Sequence, residues 1–412
     1  MAPRAAVACV VVALALALTA CGDQSSTDGA PQSGSGTVTI YSSLPMYGPE
    51  HARSRDMVDA IKLALDDAHG KAGALNVTYV SLDSSTRQNA TWTSDNVLAN
   101  ARTAVHDFNA IAYIGDSDSA ATALSLPLTN EGGILQVSPT SAYDGLTLAG
   151  GVRTGEPERF YPSGHLTFGR MVPPDHVQAA ALVDYMRAEG VHKLAMLGDR
   201  ELTGGGIADQ VTKIAAAHGI QIIDKGRIDA TKGNLSGHAQ DVAATGADAF
   251  LFAGATDTGA ARMFQAVAAA TPPRMLLFSA SADADTGFVD ALSPSVQARM
   301  RITTPTLPLR LLPPSARAFA TRFDATFGRR PLPEAMLSYE ATQAVLKAIR
   351  IAGPKGNDRS AVIKAFFQIH DRRSLLGTYS IDRYGDTSLS RYAGNRLRGS
   401  RLVLDKVLSV TP

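Results

Sequence analysis

Cysteine is nearly absent: the 412 residues contain two, Cys9 and Cys21. Neither a disulfide framework nor a thiolate metal site can be built on that pair. Aromatic residues are sparse at 6 %, with one tryptophan, Trp92. Neither sign of charge dominates, since 39 Lys and Arg face 38 Asp and Glu. A chain this close to neutral lacks the basic footprint of a nucleic-acid binder, so no nucleic acid is expected as partner. The nine histidines are scattered, without His-x-His or His-x-x-Glu-His, and no metal site or cofactor is assigned. Beyond the N-terminus no apolar run is long enough to cross a bilayer.

What is present starts with "MAPRAAVACVVVALALALTACG". One charge at Arg4, an apolar run from Ala5 to Ala17 and then Leu18-Thr19-Ala20 read as a secretory signal over residues 1–20. Leu-Thr-Ala-Cys resembles a bacterial lipobox, which implies a lipid on Cys21 as the first mature residue. Loss of Arg4 leaves 38 basic residues against 38 acidic ones. Residues 21–36 are small and polar, "GDQSSTDGAPQSGSG" after the cysteine, and read as a flexible tether. The expected location is the outer face of the cell membrane, with a soluble body held there by acyl chains.

From Thr37 onward, short apolar runs alternate with helix-like stretches. "TVTIYS", "VTYVSL", "AIAYIG" and "GILQVS" precede or follow amphipathic segments such as "RDMVDAIKLALDDAHG", where Met57, Ile61, Ala64 and Ala68 recur at helical spacing. A stretch rich in Gly, Pro and Tyr (143–165) interrupts this rhythm, which then restarts with "KLAMLG", "GIQIID", "AFLFAG" and "RMLLFS". The pattern predicts an α/β fold of two doubly wound parallel-sheet lobes. A proline-rich connector is expected from Ile302 to Ala316, followed by helices without strands between them and a closing hairpin. Helices without strands of their own must pack on a sheet already made, here that of the first lobe.

The turn in "AYIGDSDSAATALSLP" (Ala112 to Pro127) raises an enzymatic possibility, because Gly115-Asp116-Ser117 matches the Gly-Asp-Ser element of one hydrolase class. That chemistry needs its serine after the first strand, and an Asp-x-x-His pair near the C-terminus as activating base. Ser117 follows a third strand, and the last histidine, His370, is directly followed by Asp371. No catalytic residue is assigned, and the hydrolase remains a remote alternative. Gly204-Gly205-Gly206 lacks both Gly-x-Gly-x-x-Gly and the phosphate-loop lysine, so close backbone packing is expected there.

Several segments, in this order and spacing, carry a resemblance to a type I periplasmic binding protein of the branched-chain amino acid-binding group, the solute-binding component of ABC importers. They are "AIAYIGDSDSAATALSLPLTNEGGILQVSPTSA", "FGRMVPPDHVQAAALVDYMRAEGVHKLAMLGDRELTGGGIA", "GADAFLFAGATDTGAARMFQA" and "LSYEATQAVLKAIRIAG". The resemblance implies two lobes, 37–170 plus 305–385 and 171–304 plus 386–412, closing on a ligand like a clamp. Their three crossovers are expected near Arg170-Met171, Thr303-Thr304 and Tyr379 to Arg391. Ser119 and Ala120 match the family's carboxylate-binding serine turn, and Thr140, Ser141 and Ala142 match the turn after the fourth strand.

On the second lobe the family's two tyrosines fall on Thr203 and Ala255, and its ammonium-pairing acid falls on Ala280. The amino-acid grip is largely missing. Thr256, Asp257 and Ser281 are the neighbouring candidates, and as helix caps or solvated charges Asp257 and Asp283 need no ligand. Tyr47 could stack on a ligand or cover the lobe's edge, and Trp92 could wall the cleft or simply pack. Ser119 is expected to cap its helix. Asp116 and Asp118 make the turn acidic, and Asp118 is expected to oppose an anionic ligand. The expected function is non-enzymatic capture of a small polar solute, an amino acid or related compound, for an ABC permease and ATPase. A sensor lipoprotein presenting a solute to a signalling partner uses the same clamp.

Overall fold

In the computed structural model, residues 36–88, 91–149, 153–200, 202–232, 234–254, 259–280, 286–399 and 401–410 are described. The chain begins with β1 (Thr37–Leu44), α1 (His51–Asp67), β2 (Lys71–Ala72), β3 (Leu75–Asp83), α2 (Ser94–His106), β4 (Ala110–Gly115), α3 (Ser119–Glu131), β5 (Leu135–Ser138) and β6 (Phe168–Arg170). These strands form a six-stranded sheet in the order β2-β3-β1-β4-β5-β6, parallel except for the β2–β3 pair.

A second series follows: α4 (Asp175–Ala188), β7 (Lys193–Gly198), α5 (Leu202–Ile214), β8 (Gln221–Arg227), α6 (Leu235–Ala244), β9 (Ala249–Ala253), α7 (Ala260–Ala270), β10 (Leu276–Ser279), α8 (Thr286–Asp290), α9 (Pro294–Gln297) and β11 (Met300–Thr304). Then come α10 (Pro314–Phe327), α11 (Pro333–Ala352), α12 (Arg359–Phe366), a small ribbon of β12 (Arg372–Ser374) and β13 (Gly377–Tyr379), and the hairpin β14 (Arg391–Leu397) and β15 (Leu402–Ser409). The second sheet runs β15-β14-β11-β10-β9-β7-β8, with β14 and β15 antiparallel to their neighbours.

Both sheets are covered on both faces, which is why their inner strands read as continuous apolar runs. Along β1, Val38 and Ile40 join the core under α1 and α11, whereas Tyr41 packs with Ala104 of α2. In the second sheet Leu194, Met196 and Leu251 face α4 and α5, and Ala195, Leu197, Phe250 and Phe252 face α6 and α7. The strandless helices settle as the pattern requires: α11 lies along α1, and Leu337, Val345 and Phe366 join the core of the first sheet. Proline at the first helical position starts α10 and α11, where no backbone donor is lost to the helix, and Gly328 ends α10 at φ +69°.

One boundary differs from the sequence pattern. β11 occupies residues read as the start of a connector, because its arginine looks like a surface residue. Arg301 is only 5 % exposed, and its Nε donates to Glu189 at 2.7 Å. The chain passes between the sheets after β6, after β11 and before β14. Among the described residues no helix is long and apolar enough to cross a membrane.

Candidate functional site

The β4–α3 turn is built around a glycine that no other residue could replace without displacement. Gly115 has φ +137°, and a Cβ there would lie 2.7 Å from the Ser43 carbonyl. The next residue, Asp116, turns into the core: its Oδ2 accepts the Ser125 hydroxyl at 2.6 Å, and its carbonyl accepts Ser138 at 2.6 Å and Ser141 at 3.1 Å. Burial pushes its carboxyl up to about 6, although the surrounding hydroxyls pull the other way. Its side chain is therefore held inside the core and not presented to the cleft.

Asp118 is the N-cap of α3, not Ser119. Its Oδ1 accepts the amides of Ala120 at 2.7 Å and Ala121 at 3.1 Å. A carboxylate of the chain already occupies the two amides that an anionic ligand would need. The Ser119 hydroxyl accepts the Tyr143 amide at 3.3 Å, and the residue is 2 % exposed. The Ser141 hydroxyl is likewise engaged, at 2.7 Å from that of Thr122, and the Thr140 hydroxyl donates to the Ser117 carbonyl at 2.7 Å. These hydroxyls knit the two turns together.

A cavity of 1110 Å³ opens beside them. Ser117, Asp118, Ser119, Thr140 and Ala142 form one wall, beyond the carboxyl ends of β4 and β5. Val172, Asp175, Gln178 and Ile207 form the facing wall, Thr304 and Asn395 lie at the crossovers, and Leu307, Met336 and Leu404 make an apolar end. Tyr47 and Ala120 are not in its lining. The Tyr47 amide donates to Ser85, and its ring carries the Arg87 guanidinium at 5.3 Å. Trp92 pairs with Ser85 in an isolated bridge, and its neighbour Thr91 reaches the cavity instead.

Where the chain leaves the first sheet, the interior becomes charged. Arg170 is fully buried. It donates to Asp386 at 2.6 Å, to the carbonyls of Ser141 and Tyr143, and to the Thr147 hydroxyl. Burial would pull its guanidinium down, and the Asp386 carboxylate more than reverses that. Asp144 Oδ1 meets His176 Nδ1 at 2.8 Å. Asp175, at the start of α4, is 0 % exposed, and neither of its carboxylate oxygens has a hydrogen-bond partner. Its carboxyl is held well above the ordinary range, first by burial and then by the charge of Asp144, with Arg170 opposing both.

A family model described as a periplasmic binding protein matches residues 37–391. The chain belongs to this family. Its fold is shared with a leucine binding protein of Thermotoga maritima at TM-score 0.77, with 19 % identity over 90 % of this chain and 99 % of that one. A branched-chain amino acid transporter substrate-binding protein of Streptococcus pneumoniae, solved with isoleucine, gives TM-score 0.75 and 16 % identity over 91 % and 100 %. An ABC-transporter solute-binding protein of R. palustris, solved with benzoate, gives 0.73 and 16 % over 91 % and 97 %. No curated protein matches the chain in sequence.

In this periplasmic binding protein the glycine triplet is a packing device. A Cβ on Gly204 would lie 2.3 Å from the Ala253 carbonyl, and one on Gly206 would lie 2.4 Å from Asp175 Oδ2 and 2.9 Å from the Tyr143 ring. Ala280 is buried at 2 % exposure. Thr256, Asp257, Ser281, Asp283, Ala255 and Cys21 lie outside the described residues. Thr203 falls in the first turn of α5. Sequence reasoning missed Asp175 because an acid in the first turn of a helix is explained by the helix dipole alone. No local signal marks it, since Pro173-Pro174 just before it announce only the start of a helix.

Proposed function

We propose that this periplasmic binding protein captures a small polar solute, an amino acid or related compound, between its lobes and delivers it to the permease and ATPase of an ABC importer. The observation that carries this reading is the 1110 Å³ cavity, lined by elements of both sheets and by the segments that cross between them. Its size suits a small organic molecule with space for lobe movement. The crossings supply the hinge, and residues 37–170 plus 305–385 would move against 171–304 plus 386–412. The bound isoleucine and benzoate of the relatives named above support a small-solute class. No chemistry on the solute is proposed, because the Ser119 hydroxyl is committed to the Tyr143 amide and no histidine stands among the described lining residues to activate Ser117. Lipidation at Cys21 would hold the body at the outer face of the membrane.

The test is a thermal-shift screen of the body from Ser35 with amino acids, amides, polyamines and sugars. Saturation at 100 times Kd adds about 2.7 kcal/mol to stability. The expected outcome is a rise in melting temperature with one chemical class. No shift with any class, together with protein that carries no small molecule in native mass spectrometry, overturns the reading. Cys21→Ala should release the full-length protein from membranes, and retention of that variant overturns the anchor.

A further inference from the structure

We infer that the solute carries a protonated amine, and that Asp175 receives it when the lobes close. This rests on the solute-binding reading above.

Three observations converge on Asp175. It lines the cavity, it is 0 % exposed, and both its oxygens are unpartnered. The atoms that roof it come from both halves of the molecule. A Cβ on Gly206 of α5 would meet Asp175 Oδ2 and the Tyr143 ring together, and Tyr143 follows β5 of the first sheet. The Asp175 amide donates to the Ala142 carbonyl at 2.8 Å, which fixes the start of α4 against the same wall. The two halves of the molecule thus enclose a carboxylate for which the described residues provide no donor.

The surrounding groups do not meet that need. The Arg170 guanidinium is spent on Asp386, Thr147 and the two carbonyls, and His176 Nδ1 serves Asp144. Asp144 Oδ2 and the Tyr392 hydroxyl are also buried without partners. Three buried carboxylate oxygens and one hydroxyl thus lack partners, and a group that brings hydrogen-bond donors and positive charge suits them. The opposite wall fits the same occupant. Asp118 occupies the amides of Ala120 and Ala121, so an α-carboxylate finds no free helix start there. The expected class is an amine whose carboxylate is absent, masked or remote, with an apolar part directed to Leu307, Met336 and Leu404.

The carboxyl of Asp175 is raised by burial and by Asp144, so the ligand-free protein keeps a proton there that an ammonium group displaces. The titratable and charged groups around it are Asp144, Arg170, His176, Asp386, Tyr143 and Tyr392. Amine binding should release a proton and tighten as pH rises.

The experiment uses the body from Ser35 and three matched pairs: putrescine and 1,4-butanediol, leucinamide and 4-methylpentanamide, glucosamine and glucose, with leucine and benzoate as acids. Calorimetry in two buffers of different ionisation enthalpy reads affinity and proton release. The expected result is that one amine binds about tenfold or more tightly than its neutral partner, releases protons, and loses about tenfold or more in Asp175→Asn. A second readout needs no ligand. A folded pKa raised above 3.8 means that stability is lost as pH rises, so ligand-free Asp175→Asn should melt above the parent at about pH 8, with the gap closing at about pH 4. Absence of amine binding, or Asp175→Asn melting below the parent at about pH 8, overturns the inference. A neutral or acidic compound that binds parent and variant equally overturns the amine but leaves solute binding standing. Failure of every class in the wider screen removes both.

Discussion

Two helices begin at the cavity with an aspartate, and they treat it in opposite ways. At the start of α3, Asp118 closes on the amides of Ala120 and Ala121, and Asp116 two residues earlier is wrapped in hydroxyls. At the start of α4, Asp175 has the same favourable helix end in sequence but no hydrogen-bond partner in space. A helix dipole gives each of these positions a modest attraction of about 0.3–1 kcal/mol. It does not replace the hydrogen bonds that an enclosed carboxylate loses with water. The first site is complete by itself, and the second is completed from outside.

The largest expected effect comes from removing the cation behind the second site. Arg170→Met leaves Asp386 without its buried partner, and denaturant melts should show a loss of about 3–5 kcal/mol. The next effect separates Asp116 from its neighbours by pH. With its carboxyl at about 6 in the fold against 3.8, its neutral form supports the structure fully below about pH 4. That support fades as pH rises through about 6, on the order of 3 kcal/mol in all. Asp116→Asn should remove this part of the slope when melting temperature is followed against pH, and an unchanged slope would contradict the burial argument.

Gly206→Ala presses a methyl onto Asp175 Oδ2 and should cost about 1–3 kcal/mol in a chemical melt. The smallest effect is at the completed site. Asp118→Ala should cost about 0.5–2 kcal/mol, and Asp118→Asn less, because asparagine still caps. Asp118→Ala also frees two amides, so benzoate binding should tighten in that variant while amine binding at Asp175 stays.

The alternation of buried runs made the fold legible, since segments such as Ala110–Gly115 and Ala249–Ala253 have no polar face and can only be inner strands. β11 escaped because Arg301 finds its counterion on Glu189, 112 positions away. The turn at Gly115–Ser119 could be located from its pattern of glycine and serine. Its chemistry could not, since Asp116 and Asp118 differ by two positions and face opposite directions. Asp175 was illegible for a related reason: its defining property is the absence of a partner among groups brought together from 144, 170, 206 and 392. Local sequence carries no record of such an absence.

The placement of β1 has a mechanical consequence. It lies inside the first sheet, in register with β3 from Thr37 to Leu44 and with β4 from Thr39 to Ser43. Any pull arriving through the residues before Thr37 therefore loads two ladders lengthwise and at once. An edge strand such as β15 is held by one ladder, whereas β1 must slide past both neighbours together. The body is thus gripped from its N-terminal side at a strand held by two ladders.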